Sequence, residues 1–232
     1  QHIPMYETQM PAEWEYIIRD CGAKVLLAAN TTVFEQTRKF PDQIETLEHV
    51  VLLSGSADGD ETTYEDLLKK GRENPVDVMQ PESQSPMGMI YTSGTTGNPK
   101  GVILSHSNLI FECSVVTPLL GMTKDVRTLA FLPWAHVFGQ VAEVHGIIGS
   151  GGSAGLVDDV NTLIDELGVV KPSVFFAVPR VYNRIYDRLR EQMKEKPGFI
   201  RSLFYGGLKQ ARREREGETL GFLDNLTLTL AR

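Results

Sequence analysis

Cysteine is nearly absent, with only Cys21 and Cys113 in 232 residues. Each sits inside an apolar helical pattern, which excludes a disulfide framework and a cysteine-rich metal site and fits a reduced, cytoplasmic setting. No apolar run approaches the ~20 residues that span a bilayer, and no signal-peptide pattern is read at the start, so only peripheral membrane contact stays open. Positive charge is also short, at 23 basic against 30 acidic residues and a net charge of −7. That balance argues against a nucleic-acid binder, although residues 194–215 are locally basic. A starting Met is lacking as well: the chain opens on Gln1 and reaches Arg232 within an apolar-patterned segment. It is therefore expected to be part of a longer polypeptide, cut at both ends. The 41% hydrophobic and 23% charged fractions suit a globular protein with a sizeable core.

What the chain does have is concentrated in residues 89–100, Met-Ile-Tyr-Thr-Ser-Gly-Thr-Thr-Gly-Asn-Pro-Lys. Met89, Ile90 and Tyr91 have the character of a short buried strand, and Val102, Ile103 and Leu104 repeat it beyond a loop too polar to pack. Within the loop Gly94 and Gly97 can take positive φ and let backbone N–H groups close on an anion. The hydroxyls of Thr92, Ser93, Thr95 and Thr96 add donors, with Thr95 the candidate Mg²⁺ ligand, and Lys100 supplies a point charge. This is the chemistry of triphosphate binding. A Walker A loop would need Gly before the Lys, Ser or Thr after it, and a following helix. Here Pro99 precedes Lys100, Gly101 follows it, and a strand comes next. A glycine-rich hairpin turn without a ligand is the plain alternative.

These dozen residues resemble the phosphate loop of the adenylate-forming, AMP-binding superfamily, which includes acyl-CoA synthetases, luciferases and peptide-synthetase adenylation domains. Further stretches carry the resemblance toward the long-chain fatty-acid-CoA ligases. Ile3-Pro4-Met5-Tyr6-Glu7-Thr8 is similar to a Pro-x-Tyr-x-Thr segment of that branch. Pro133-Trp134-Ala135-His136 resembles its Leu-Pro-x-x-His motif, and the run from Ala177 through Pro179, Arg180 and Tyr182 to Leu189 resembles it too.

Taken in order, the chain reads as an α/β fold. Pro11 opens a helix with Trp14, Ile17, Ile18 and Cys21 on one face, ending at Gly22. Residues 24–29 form a strand, Asn30 caps a helix carrying Val33, Phe34 and Thr37, and residues 49–53 form another strand, the rhythm of a parallel sheet. A polar excursion over residues 54–85 holds a helix capped by Thr63. Beyond the loop, Ser107 or Asn108 is expected to cap a helix that breaks near Pro118, with His106 structural. A strand over 128–132, a helix over 141–148, strands over 154–157 and 173–178, and a helix from Pro179 follow. Residues 199–215 read as a basic amphipathic helix, able to lie on an anionic membrane or to await a packing partner, the latter favoured.

The carboxyl end of a strand is where open α/β sheets place ligands, so Trp134, His136 and Phe138 stand well to meet a substrate. By resemblance His136 lies near the carboxylate being activated. Some relatives carry an aromatic gate four residues beyond this His, where this chain has Gln140. The resemblance implies that residues 1–232 are part of the large N-terminal domain, an α/β arrangement of largely parallel sheets flanked by helices, without the C-terminal domain. It further implies ATP, Mg²⁺ and CoA as cofactor and co-substrates, a long-chain fatty acid as the acid, and Lys100 and His136 as catalytic residues. This stretch alone is expected to be inactive, because the family's adenine, ribose and C-terminal motifs are not found in it. An aryl- or aminoacyl-adenylating enzyme and a non-catalytic nucleotide-binding module are the alternatives.

Overall fold

The computed structural model describes residues 1–56, 62–92 and 97–231. The chain forms two compact units, Gln1–Phe176 and Ala177–Arg232.

The first unit begins with α1 (Pro11–Cys21). Pro11 fits the first turn because its missing N–H has no helical partner there, and the Glu13 carboxylate accepts from the Met10 amide at 2.8 Å. Gly22 ends the helix at φ 63°, a left-handed turn that costs glycine no Cβ clash. The expected face is buried: Trp14 and Ile18 pack with Leu26, Phe40, Ile44 and Leu47. The Trp14 indole donates to the Tyr6 carbonyl at 2.9 Å, which ties down the N-terminal segment.

Strand β1 (Val25–Ala28) leads into α2 (Thr31–Thr37), whose Asn30 cap accepts from the Val33 amide at 3.0 Å. Residues β2 (His49–Leu52) then pair parallel to β1, and the short β3 (Thr62–Thr63) pairs parallel to β2. Helix α3 (Tyr64–Glu73) starts on a reciprocal cap between Thr63 and Asp66. Strands β4 (Pro86–Thr92) and β5 (Lys100–Ser105) form an antiparallel hairpin. The segment at His2 bridges to Gly88 beside it.

Helix α4 (His106–Leu119) is capped by Ser105, the last residue of β5, rather than by Ser107 or Asn108 as expected. Asn108 is instead the return half of the cap: its amide donates to Ser105 Oγ at 3.2 Å and its Oδ1 accepts from the Ser105 amide at 3.0 Å. The helix carries Pro118 inside its last turn and stops at Leu119. Strand β6 (Arg127–Ala130) pairs parallel with β7 (Ser153–Leu156), so among the described residues two of three sheets are parallel, and the fold is α/β. The crossover between them is a π-helical turn, Gly139–His145, running into α5 (Gly146–Ser150), where a single α-helix was expected. The His145 ring shares Nδ1 with the Gln140 carbonyl at 2.9 Å, drawing that carbonyl out of an ordinary helical ladder.

After α6 (Leu163–Val170) comes a second departure. Residues 173–178 form no strand: the amides of Ser173 and Val174 both donate to the Arg127 carbonyl, while the Arg127 amide donates to Ser173 Oγ at 3.0 Å and not to a strand partner. The apolar run serves packing instead. Phe176 joins Met122, Val126, Leu132, Ala142 and Ile147 in a core, and Phe175 stacks on Phe131 at 5.5 Å.

The second unit holds α7 (Pro179–Lys194), α8 (Gly198–Arg215) and α9 (Phe222–Ala231). Helix α8 packs against α9. A Cβ on Gly206 would stand 3.1 Å from Thr227, and Arg213 pairs with Asp224 at 2.9 Å. The helix that could have lain on a membrane thus has a partner within this chain. Among the described residues no helix is long and apolar enough to cross a membrane.

Candidate active site

The hairpin register places Thr92 directly opposite Lys100, Tyr91 opposite Gly101 and Ile90 opposite Val102. Directly opposed residues share a face of the ladder, so the Thr92 hydroxyl and the Lys100 ammonium emerge together at the mouth of the loop. Both are exposed, and Thr92 Oγ1 reaches the Lys100 carbonyl at 3.5 Å. Gly97 has φ 143°, a conformation that side chains rarely adopt. Ser93, Gly94, Thr95 and Thr96 lie outside the described residues. Among the described residues no group of three His, Cys, Asp or Glu is placed to hold a metal ion.

The second group of expected residues leaves the carboxyl end of β6. Packing of half-buried Phe131 and buried Leu132 carries the chain to Pro133, whose carbonyl accepts from the His136 amide at 3.0 Å and folds a turn. The turn presents Trp134 at 45% exposure, Phe138 at 40% and the His136 ring in solvent. Both aromatics could have been plain core, and neither is. Phe138 meets Phe176 edge to face at 6.2 Å, which fixes its ring while leaving one side open. His136 Nδ1 accepts from the Phe138 amide at 3.2 Å. With Nδ1 taken by that amide, Nε2 is the ring nitrogen that remains to meet another group.

Gln140, at the position of the gate in some relatives, is buried and faces inward to the His2 ring, so it does not stand at an entrance. Burial lowers the His2 pKa, as does the neighbouring His145. Sequence reasoning overlooked Glu143. It is 2% exposed, and neither carboxylate oxygen has a hydrogen-bond partner of sound geometry. Burial pushes its carboxyl up to about 7, with the Phe131 and Leu132 backbone and the Trp134 side chain pulling weakly the other way. The available signal was an acid set among Val141, Ala142 and Val144 in an otherwise apolar run. Among the described residues no hydrogen bond or ion pair joins the Thr92 and Lys100 group to the His136 group.

A family profile described as AMP-binding enzyme matches residues 1–213. Among curated proteins, the chain is 28% identical over 222 residues to a protein named long chain acyl-CoA synthetase 7, peroxisomal, from Arabidopsis thaliana, covering 90% of this chain and 32% of that one. It is 30% identical over 212 residues to long-chain-fatty-acid–CoA ligase 5 from Rattus norvegicus, covering 83% and 30%. Among solved structures, the anthranilate CoA ligase AuaEII in complex with anthranoyl-AMP superposes with a TM-score of 0.69 at 24% identity, over 77% of this chain and 35% of that one. The last likeness speaks to fold alone. The chain spans about a third of the length of these curated relatives. With the profile covering nearly all of it, the chain belongs to the AMP-binding enzyme family.

Proposed function

We propose that the full-length protein carrying this chain activates a long-chain fatty acid at the expense of ATP and passes the acyl group to CoA. A carboxylate oxygen attacks the α-phosphorus of ATP, and the α–β bridging oxygen leaves with pyrophosphate, giving an acyl-adenylate. The CoA thiolate then attacks the acyl carbon and AMP departs. A carboxylate is a poor acyl donor because its oxygen leaves badly, whereas AMP leaves well from the mixed anhydride.

The observation that carries this reading is the pairing of Thr92 with Lys100 at the mouth of a loop that turns through Gly97 at positive φ. Lys100, the Thr92 hydroxyl and backbone amides of residues 93–97 would hold the β- and γ-phosphates as charge builds on departing pyrophosphate. Mg²⁺, which would neutralise part of that charge, would arrive on the phosphates and take the Thr95 hydroxyl. His136 would donate from Nε2 to the substrate carboxylate and orient it, with Trp134 and Phe138 lining the acyl path. The names of the curated relatives support the long-chain branch. The chain itself would be one part of the N-terminal domain.

The test is fatty-acid-dependent ATP–pyrophosphate exchange on the full-length protein with palmitate, a short acid and an aromatic acid. Exchange with palmitate alone is expected. Exchange with the aromatic acid alone would overturn the branch, and none with any acid would favour a nucleotide-binding module without turnover.

A further inference from the structure

Helix α1 was legible as an amphipathic helix, but its outward face is not simply solvated. Tyr16 and Asp20 lie one turn apart, on a side of the helix turned away from the buried Trp14 and Ile18. The Tyr16 hydroxyl donates to the Pro99 carbonyl at 3.2 Å, and Asp20 Oδ2 accepts from the Tyr91 hydroxyl at 2.6 Å. Tyr91 is on β4 immediately before the loop, and Pro99 immediately precedes β5. One helical turn therefore holds both stems of the loop.

The contact with Tyr91 depends on Gly101. A Cβ there would stand 3.1 Å from Tyr91 Cζ and would collide with the Met89 sulfur. With no side chain at Gly101, the phenol crosses its partner strand and reaches Asp20. The short bond is of the charge-assisted kind, and burial together with Asp20 raises the Tyr91 pKa, keeping the phenol a donor. At the other stem, the Pro99 carbonyl belongs to the peptide unit whose N–H is that of Lys100, so Tyr16 grips the backbone from which the lysine projects.

We propose that Tyr16, Asp20 and Tyr91 are positioning residues for the phosphates of ATP, forming a brace from α1 that fixes the width of the loop mouth. The inference rests on the phosphate-binding reading of the loop. The brace touches no substrate. It restricts the separation of Tyr91 and Pro99, so that Thr92 and Lys100 meet the phosphates without first being ordered.

The experiment measures KM for ATP and KM for palmitate in the full-length protein for Tyr16→Phe, Asp20→Ala and their combination, with Glu15→Gln as a control on the same helix and Lys100→Ala alongside. The brace predicts that KM for ATP rises about fivefold in each single variant and more than tenfold in the pair, on the order expected for lost hydrogen bonds. KM for palmitate should stay put. Asp20→Ala is diagnostic in sign, because removing a negative charge near the phosphates would by itself lower KM for ATP. An unchanged or lowered KM for ATP, or equal rises for both substrates, would overturn the brace. Should Asp20→Ala fail to fold, Tyr16→Phe, which loses a single hydroxyl, decides alone. If Lys100→Ala also leaves ATP use unchanged, the phosphate-loop reading itself falls; if Lys100→Ala impairs ATP use while the Tyr16 and Asp20 variants do not, only the brace does.

Discussion

Gly139 stands against Pro133 so closely that a Cβ would come within 2.7 Å of the Pro133 carbonyl oxygen and 3.1 Å of Leu132 Cβ. The first residue of the π-helical turn is thus seated on the turn that presents His136. Gly139→Ala must push backbone, not a mobile side-chain end, and is expected to destabilise the protein by about 1–3 kcal/mol. Because Pro133 carries the His136 turn, KM for the acid should rise as well. Denaturant unfolding and steady-state kinetics check both, and a stable variant with ordinary kinetics would show that the turn relaxes freely.

Glu143 makes stability depend on pH. Its carboxyl holds its proton to about pH 7 in the folded chain, against 4.5 when unfolded. Between those values the folded state binds more protons, so stability falls as pH rises from about 4.5 to 7. The full cost, on the order of 3 kcal/mol, is present above pH 7. Glu143→Gln should flatten this slope and gain most at pH 8. Urea unfolding at pH 5 and pH 8 reads the difference, and parallel behaviour of the two proteins would mean the carboxylate is solvated or paired.

Lys100→Ala should lower kcat/KM for ATP by about a hundredfold in the full-length protein, the scale of losing one group that meets developing charge. Pyrophosphate exchange measures it. His136→Ala should act on the other substrate, raising KM for palmitate about tenfold with KM for ATP little changed. A reversal of those two patterns would exchange the roles of hairpin and turn.

Asn30→Ala should cost about 1 kcal/mol, because the Val33 amide loses its only capping acceptor at the start of α2. Chemical denaturation of the variant provides the measurement, and a change below a few tenths would mean water replaces the cap.

The parts legible in the sequence are those governed by local rules. Pro11, Gly22, Asn30 and Thr63 act on backbone within a turn of themselves, and each does in the structure what its residue type dictates. The hairpin flanking the glycines was equally readable, since its strands are neighbours along the chain. The misreadings arise where distant residues decide. Residues 173–178 have the apolar content of a strand, yet Phe175 and Phe176 spend it on ring packing, and Arg127 offers them a single carbonyl. The cap of α4 was missed for a local reason: β5 ends at Ser105, whose hydroxyl accepts from the Asn108 amide. For the site, Trp134, His136 and Phe138 were locatable from the end of a strand. Tyr16, Asp20 and Glu143 were not, since the first two act on residues more than seventy positions away and the third is defined only by what surrounds it.

The irregularity between Pro86 and Gly88 has a bearing on how this loop can vary in length. It pins the far end of the hairpin, so that β4 and β5 cannot slide past one another without undoing the bulge. A slide of one residue would send Lys100 to the opposite side of the ladder from Thr92. Residues inserted or deleted between 93 and 99 are spared that outcome: the anchored strands leave the extra length to the tip, and the lysine keeps its side.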